Sequence, residues 1–388
     1  MRAFGDGYVS ILLPVYLLEL GCSTLEVGVL ATATLLGSGL LSLAVGLHAH
    51  RFHYRVLLLA ATALMGATGL GFALVTQFWP LLVIAFVGTL NPSSGDVSVF
   101  LPLEHAVLSQ SVPDRDRTAT FARYSLVGSL VAAAGSLAAA FPGWLAAHAG
   151  VSSREAIQGM FLLYAAMAGV TAFVYRGLPR GPEASVPSAR APLVQSKGRV
   201  YALAALFSVD AFGGGLVVQS MLALWLFQRH GMSPAAAGTL FFWTGLFSAA
   251  SYLVAVRIAG RFGLVNTMVF THLPANLCLM AIPFVDSVAI VVTLLCVRSA
   301  LSQMDVPTRS SYVMAIVTPE ERPAAASVTS VPRSLASSAG PFIAGYLMGA
   351  STFGSFLVVA GALKVAYDLM LLAMFRKVHP PEEARHEP

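Results

Sequence analysis

Apolar residues fill this chain in long blocks separated by short polar stretches. A helix of about 20 apolar residues crosses a bilayer. Read at that length, the blocks predict twelve helices, over 3–20, 25–47, 55–75, 80–108, 118–141, 157–176, 199–227, 234–258, 265–285, 287–316, 323–349 and 353–375. Most connections are short. The exception is RGLPRGPEASVPSARAPLVQSKGR (176–199), whose Pro, Ser and Arg content reads as a solvated, flexible linker. The expected organisation is an N-terminal six-helix bundle (1–176), a linker (177–198), a C-terminal six-helix bundle (199–376) and a short tail (377–388). The fold class is thus all-α and polytopic, with twelve transmembrane helices in two bundles.

Composition agrees with that pattern. The chain is 57% hydrophobic and 11% charged, against about 25% charged for soluble domains, and its mean hydropathy is +0.76. Nothing outside the apolar blocks is long enough for a soluble catalytic domain. The first block has no small-residue cleavage site after it and reads as a retained span. It is short enough to leave room for a start further upstream.

The net charge of +5 invites a nucleic-acid reading, but the placement of the basic residues explains it better. With both termini in the cytoplasm, 16 of the 23 Lys and Arg residues fall on the cytoplasmic side and two, Arg154 and Arg229, on the other. That asymmetry is what sets membrane topology. The expected location is the cell membrane, the inner one in a bacterium. Anionic lipid is an expected partner and nucleic acid is not. Cys22, Cys278 and Cys296 lack metal spacing and read as small apolar packing residues.

The two halves repeat. Gly21, Ser23 and Gly28 answer to Gly231, Ser233 and Gly238 at an offset of 210. LPLEHA (101–106) answers to VPTRSS (306–311) at 205, an offset that also places Arg117 on Arg322 and Gly135 on Gly340. Duplicated helical halves put a substrate site at their interface, near the membrane midplane.

Together these features resemble the major facilitator superfamily over essentially the whole length. Twelve predicted spans and a basic central linker support the resemblance. So does a degraded form of that family's loop motif, G-x-x-x-D-R-x-G-R-R, between helices 2 and 3. GLHAHRFHYR (46–55) keeps Gly46, Arg51 and Arg55 but has His50 at the usual Asp and His53 at the usual Gly. The resemblance implies a transporter working by alternating access, with helices 1, 4, 7 and 10 lining its cavity.

The candidate chemistry lies in the charges within the spans, each costing roughly 2.5–3.5 kcal/mol in hydrocarbon on insertion scales. Arg298, Asp305 and Arg309 are spaced by seven and four residues, one stripe on a single helix face. Asp96 and Glu104 are on predicted helix 4 and Asp210 is on helix 7. Asp96, Asp210 and Arg298 fall at similar depth. They read either as a substrate and proton site or as an ion-pair network that fixes helix packing. Equal distance from the hairpin turns sets Glu104 opposite Arg123 and Asp305 opposite Arg333. With Arg309 these form a gate or a static clamp. Lys364 and Asp368 at i, i+4 read as a pair within helix 12, His272 as a hydrogen-bonded interior residue, and Asp6 as a helix-start charge. His48, His50 and His53 read as a solvated basic loop, so no metal is expected. FGGG (212–215) reads as a flexible or closely packed break, not a phosphate loop.

No G-x-x-x-x-G-K-[ST] cradle for ATP occurs, and neither HExxH nor GxSxG argues for an intramembrane enzyme. The expectation is a monomeric secondary transporter, without cofactor, for a small organic solute. Asp96 and Asp210 are its candidate proton carriers. Arg298, which cannot lose its proton, is the candidate receiver of an anionic group. A uniporter without ion coupling and a transporter-like sensor or scaffold are the alternatives.

Overall fold

The computed structural model describes residues 1–48, 52–93, 98–112, 117–178, 193–318, 321–376 and 378. Among them are sixteen α-helices and no strand. The first eight are α1 (Arg2–Glu19), α2 (Thr24–His48), α3 (Tyr54–Leu74), α4 (Phe78–Val87), α5 (Phe100–Ser111), α6 (Arg117–Leu137), α7 (Phe141–Ala149) and α8 (Ser153–Arg176). The second eight are α9 (Lys197–Leu216), α10 (Gln219–His230), α11 (Pro234–Phe262), α12 (Leu264–Ala281), α13 (Val288–Ser302), α14 (Asp305–Ala315), α15 (Arg322–Ala350) and α16 (Ser355–Phe375). Nine helical segments among the described residues are long and apolar enough to cross a membrane. The other three expected spans correspond to α1, to α4 with α5, and to α15, which are shorter, interrupted or richer in polar residues.

Several predicted helices are interrupted where a straight count of apolar residues ran through, two of them next to a proline. The expected span 80–108 becomes α4 and α5, and 287–316 becomes α13 and α14. Proline explains where each helix restarts. Pro102 and Pro307 each occupy the third position of the new helix, where a missing N–H costs little, whereas deeper in a continuous helix the ring would clash with the carbonyl four residues back. The two restarts, Phe100 and Asp305, are themselves 205 residues apart, the repeat offset of this region. Backbone freed by the first break finds partners, as it must at membrane depth. The Thr89 amide donates to the Thr68 hydroxyl (3.3 Å), the Tyr164 hydroxyl donates to the Thr89 carbonyl (3.2 Å), and the Ser220 amide donates to the Pro92 carbonyl (3.0 Å).

The repeat is visible in local geometry. Gly21 and Gly231 both turn with positive φ, +86° and +60°, a conformation that glycine adopts without strain. Ser23 and Ser233 both accept an amide of the following first helical turn, from Glu26 (3.3 Å) and Ala236 (3.2 Å). Gly28 and Gly238 both lie against another helix's backbone. A Cβ on either would come 2.4 Å from a carbonyl oxygen, of Pro341 and of Ser136 respectively.

The chain forms two compact units. Unit 1 contains Met1–Val186, Val218–Phe242 and Pro341–Thr352; unit 2 contains Pro187–Val217, Trp243–Gly340 and Phe353–Pro388. In unit 1, α1 packs on α6 and α8, and α3 on α8. In unit 2, α12 and α16 pack together and against α9 and α14 around Val200, Phe207, Met268, Tyr312, Tyr367 and Leu371. FGGG is closely packed: a Cβ on Gly215 would meet the Ser337 carbonyl at 2.1 Å. Most of the central linker and of the C-terminal tail lies outside the described residues.

Candidate functional site

Unit 2 buries a connected set of charges among the apolar helices just described. Asp210 of α9 is 4% exposed and stands between two cations. Lys364 of α16 donates to its Oδ1 at 2.7 Å, and Arg309 of α14 donates to its Oδ2 at 3.0 Å. Arg309 also donates to Asp305, one turn back on its own helix. The guanidinium lies over the rings of Phe207 and Tyr367, 5.2 and 6.0 Å from their centroids, a favourable seat for a desolvated cation. Beside this group, His272 of α12 has its Nδ1 2.9 Å from Asp368 Oδ1 and its Nε2 3.9 Å from Asp210 Oδ1. The Asn276 amide, one turn further along α12, donates to the other oxygen of Asp368 at 2.9 Å. Four helices thus meet at one polar cluster, and Asp368 has no exposed surface.

Unit 1 has a smaller counterpart. Arg2 of α1 donates to Glu104 of α5 at 3.3 Å and lies 3.9 Å from Asp6. The hydroxyls of Tyr124 on α6 and Tyr175 on α8 also donate to Glu104. Asp6 is 4% exposed, and its Oδ1 has no hydrogen-bond partner among the described residues. In each unit an arginine–carboxylate pair therefore joins the first helix of a half to the fourth, with the signs reversed. Glu104 is the acid on the fourth helix of one half, and Arg309, its mate at an offset of 205, is the base in the other.

The sequence-predicted residues fall as follows. Asp210, Asp305 and Arg309 come together. Arg298 is half-buried on α13, separated from α14 by the break at Gln303 and Met304, and its Nε is buried without a hydrogen-bond partner among the described residues. Asp96 and Arg51 lie outside the described residues, as does His50. Glu104 pairs with Arg2, while Arg123, expected opposite it, is exposed. Asp305 bonds Arg309; Arg333 is exposed on α15. Gly46 is near the end of α2 and Arg55 is in the first turn of α3.

Two readings of the sequence are corrected. Lys364 and Asp368 do not satisfy each other: Lys364 reaches across to Asp210, and Asp368 to His272 and Asn276. Their i, i+4 spacing fits a shared inward face equally well. Asp6 is buried inside unit 1 rather than a solvated helix-start charge. Sequence reasoning also missed Arg2, Tyr124, Tyr175 and Asn276, which carry no spacing signal of their own.

One further carboxylate has a structural task outside the spans. Glu321 accepts the amides of Val194 (2.6 Å), Gln195 (2.8 Å) and Ser196 (3.1 Å), just before α9. Those donors, Val194 first, hold its carboxyl below the usual range.

A nearly all-helical chain with apolar spans and ion pairs buried between them is a polytopic membrane protein. The chain belongs to the Major Facilitator Superfamily, whose family model matches residues 1–300 and 203–388. Its fold is that of membrane transporters. It is 25% identical over 410 residues to an uncharacterized membrane protein of Saccharomyces cerevisiae, YJR124C, with 97% of this chain and 92% of that protein covered. Among solved structures, a point mutant of the nucleoside transporter NupG has a TM-score of 0.72 at 14% identity, covering 96% of this chain and 98% of NupG. A bacterial homologue of the human lysosomal transporter Spinster, inward-facing and occupied, scores 0.71 at 15% identity over 96% of this chain and 92% of its own. The human organic anion transporter MFSD10 (TETRAN) scores 0.62 at 14% identity, covering 95% and 96%.

Proposed function

We propose that the protein is a secondary transporter that moves a small organic solute by alternating access, with proton movement as its driving force. The observation that carries this reading is the unit 2 cluster. Asp210, Asp305, Arg309, Lys364, His272 and Asp368 are each at most 7% exposed among apolar helices. Charges placed there are expensive, and in membrane proteins they mark ion and substrate paths. Asp210, held by two cations, acts as the hub joining α9, α14 and α16. Arg298 supports an anionic solute: it is a permanent cation, half-buried, with a buried Nε that has no hydrogen-bond partner among the described residues.

The test is uptake into proteoliposomes from a panel of radiolabelled nucleosides and small organic anions, with protein-free vesicles as the baseline. Uptake of at least one organic anion is expected. Arg298→Gln should raise its KM about tenfold or more, the loss of one charge-assisted contact of about 1.5–3 kcal/mol. Uptake confined to uncharged nucleosides and unchanged in Arg298→Gln would sink the anion assignment.

A further inference from the structure

We infer that His272 and Asp368 form a proton-binding site, and that one proton held there completes the charge balance of the buried cluster. That this proton drives solute movement rests on the transporter reading above; that it binds here does not.

The cluster contains three acids, Asp210, Asp305 and Asp368, and two basic side chains, Arg309 and Lys364. Both cations are committed elsewhere. Arg309 bonds Asp305 and Asp210, and Lys364 bonds Asp210. Asp368 bonds only neutral or titratable partners, Asn276 and His272. Left ionised beside a neutral imidazole, it would leave one unbalanced negative charge in a site with almost no access to water. An isolated buried charge of that kind is relieved by taking up a proton. The imidazole is placed to hold it. Its two ring nitrogens face two different carboxylates, Asp368 at 2.9 Å from Nδ1 and Asp210 at 3.9 Å from Nε2, and the Asn276 amide nitrogen lies 3.2 Å from Nδ1. A neutral ring would aim a lone pair at one of them; only the imidazolium presents a donor to both.

None of the surrounding groups bonds Asp368 to supply that charge. Arg298 of α13 acts on Asp210 through space but is bonded to none of the three acids among the described residues. Tyr367, edge-on to the His272 ring at 6.1 Å, has a buried hydroxyl without a partner among the described residues and brings no positive charge. Cys278 on α12 brings none either. Asp210, the carrier expected from sequence, already bonds two basic side chains, Lys364 and Arg309. Loss of the proton would leave the acids in excess and weaken the contact by which Asp368 anchors α16 on α12. Proton release and the loosening of those two helices are thereby linked.

The test is nitrogen NMR of the full chain in lipid nanodiscs, with histidine labelled on the ring. A free histidine is mostly neutral at pH 7.5. One of the nine histidines should nevertheless show both ring nitrogens protonated at that pH. The signal should be absent in His272→Gln and should turn to that of a neutral ring in Asp368→Asn, where the cluster balances without a proton. Asp368→Asn is a near-isostere and keeps the test usable should His272→Gln misfold. Its melting temperature should also decline less than the parent's between pH 7 and 9. A neutral His272 ring in the parent from pH 6 upward, or an imidazolium that persists in Asp368→Asn, would overturn the assignment. An imidazolium found in a protein that moves no solute would uphold the site and sink only the transport reading.

Discussion

Lys364 is the residue whose role departs most from its sequence context. Its Nζ lies 2.7 Å from Asp210, and both groups are buried. Removing one partner of such a pair strands the other, at a cost of about 3–5 kcal/mol. Lys364→Met should therefore lower the unfolding midpoint in detergent markedly, while Asp210→Asn with Lys364→Met should recover a large part of the loss. A Lys364→Met protein that melts with the parent would show that the pair contributes nothing. Why sequence missed this contact is a matter of direction. Charge inside a span is legible from composition, so Asp210, Asp305 and Arg309 stood out. The partner across the bundle depends on how each helix is rotated. A helix as uniformly apolar as α16 carries no stripe from which to read that rotation, and the i, i+4 spacing offered Asp368 as a ready substitute. Arg2 was hidden for another reason: a basic residue at a chain start is ordinary as a topology signal, and its contact with Glu104 spans 102 residues.

Among the elements, the tight crossings and the helix ends offer the sharpest tests. Gly28→Ala would place a Cβ 2.4 Å from the Pro341 carbonyl, whereas Gly46→Ala, on the same helix, meets nothing within 4 Å. Overpacking costs about 1–3 kcal/mol, and an unobstructed Gly-to-Ala change in a helix gains up to about 1 kcal/mol. Thermal unfolding should thus separate the two variants in opposite directions; equal midpoints would contradict the crossing. Glu321 makes a pH prediction. Its carboxyl is held below the usual range by the amides ahead of α9, so its contribution is present above the ordinary Glu value of about 4.3 and fades as pH falls through the lower folded value. Glu321→Gln should flatten the parent's acid-side decline in melting temperature; an unchanged acid limb would reject that role. The repeated glycines and serines were legible because a turn and a close approach each demand a specific residue. The interruptions at Pro102 and Pro307 were not, because a hydropathy count averages over the few residues where a helix stops and restarts, although both prolines stood in plain view.

For the molecule as a whole, length, apolar blocks and the internal repeat were enough to indicate the Major Facilitator fold, since a bilayer leaves few ways to satisfy a backbone. Composition could not reveal which segments pack as compact units. The placement of basic residues makes a separate prediction. Cysteine at Arg261, at the end of α11 expected to face the cytoplasm, should resist an impermeant thiol reagent in intact cells, and cysteine at Arg154, at the start of α8, should react. Both positions are exposed. The reverse pattern would invert the topology. Most direct for the central claim is solute accumulation in proteoliposomes under an imposed pH gradient, recorded together with lumenal pH. The account predicts that a small organic anion accumulates above its external concentration, that lumenal pH moves with it, and that a protonophore abolishes both. It predicts as well that Asp368→Asn retains exchange but loses accumulation. Accumulation by Asp368→Asn equal to the parent's, or uptake indifferent to the pH gradient, would contradict it.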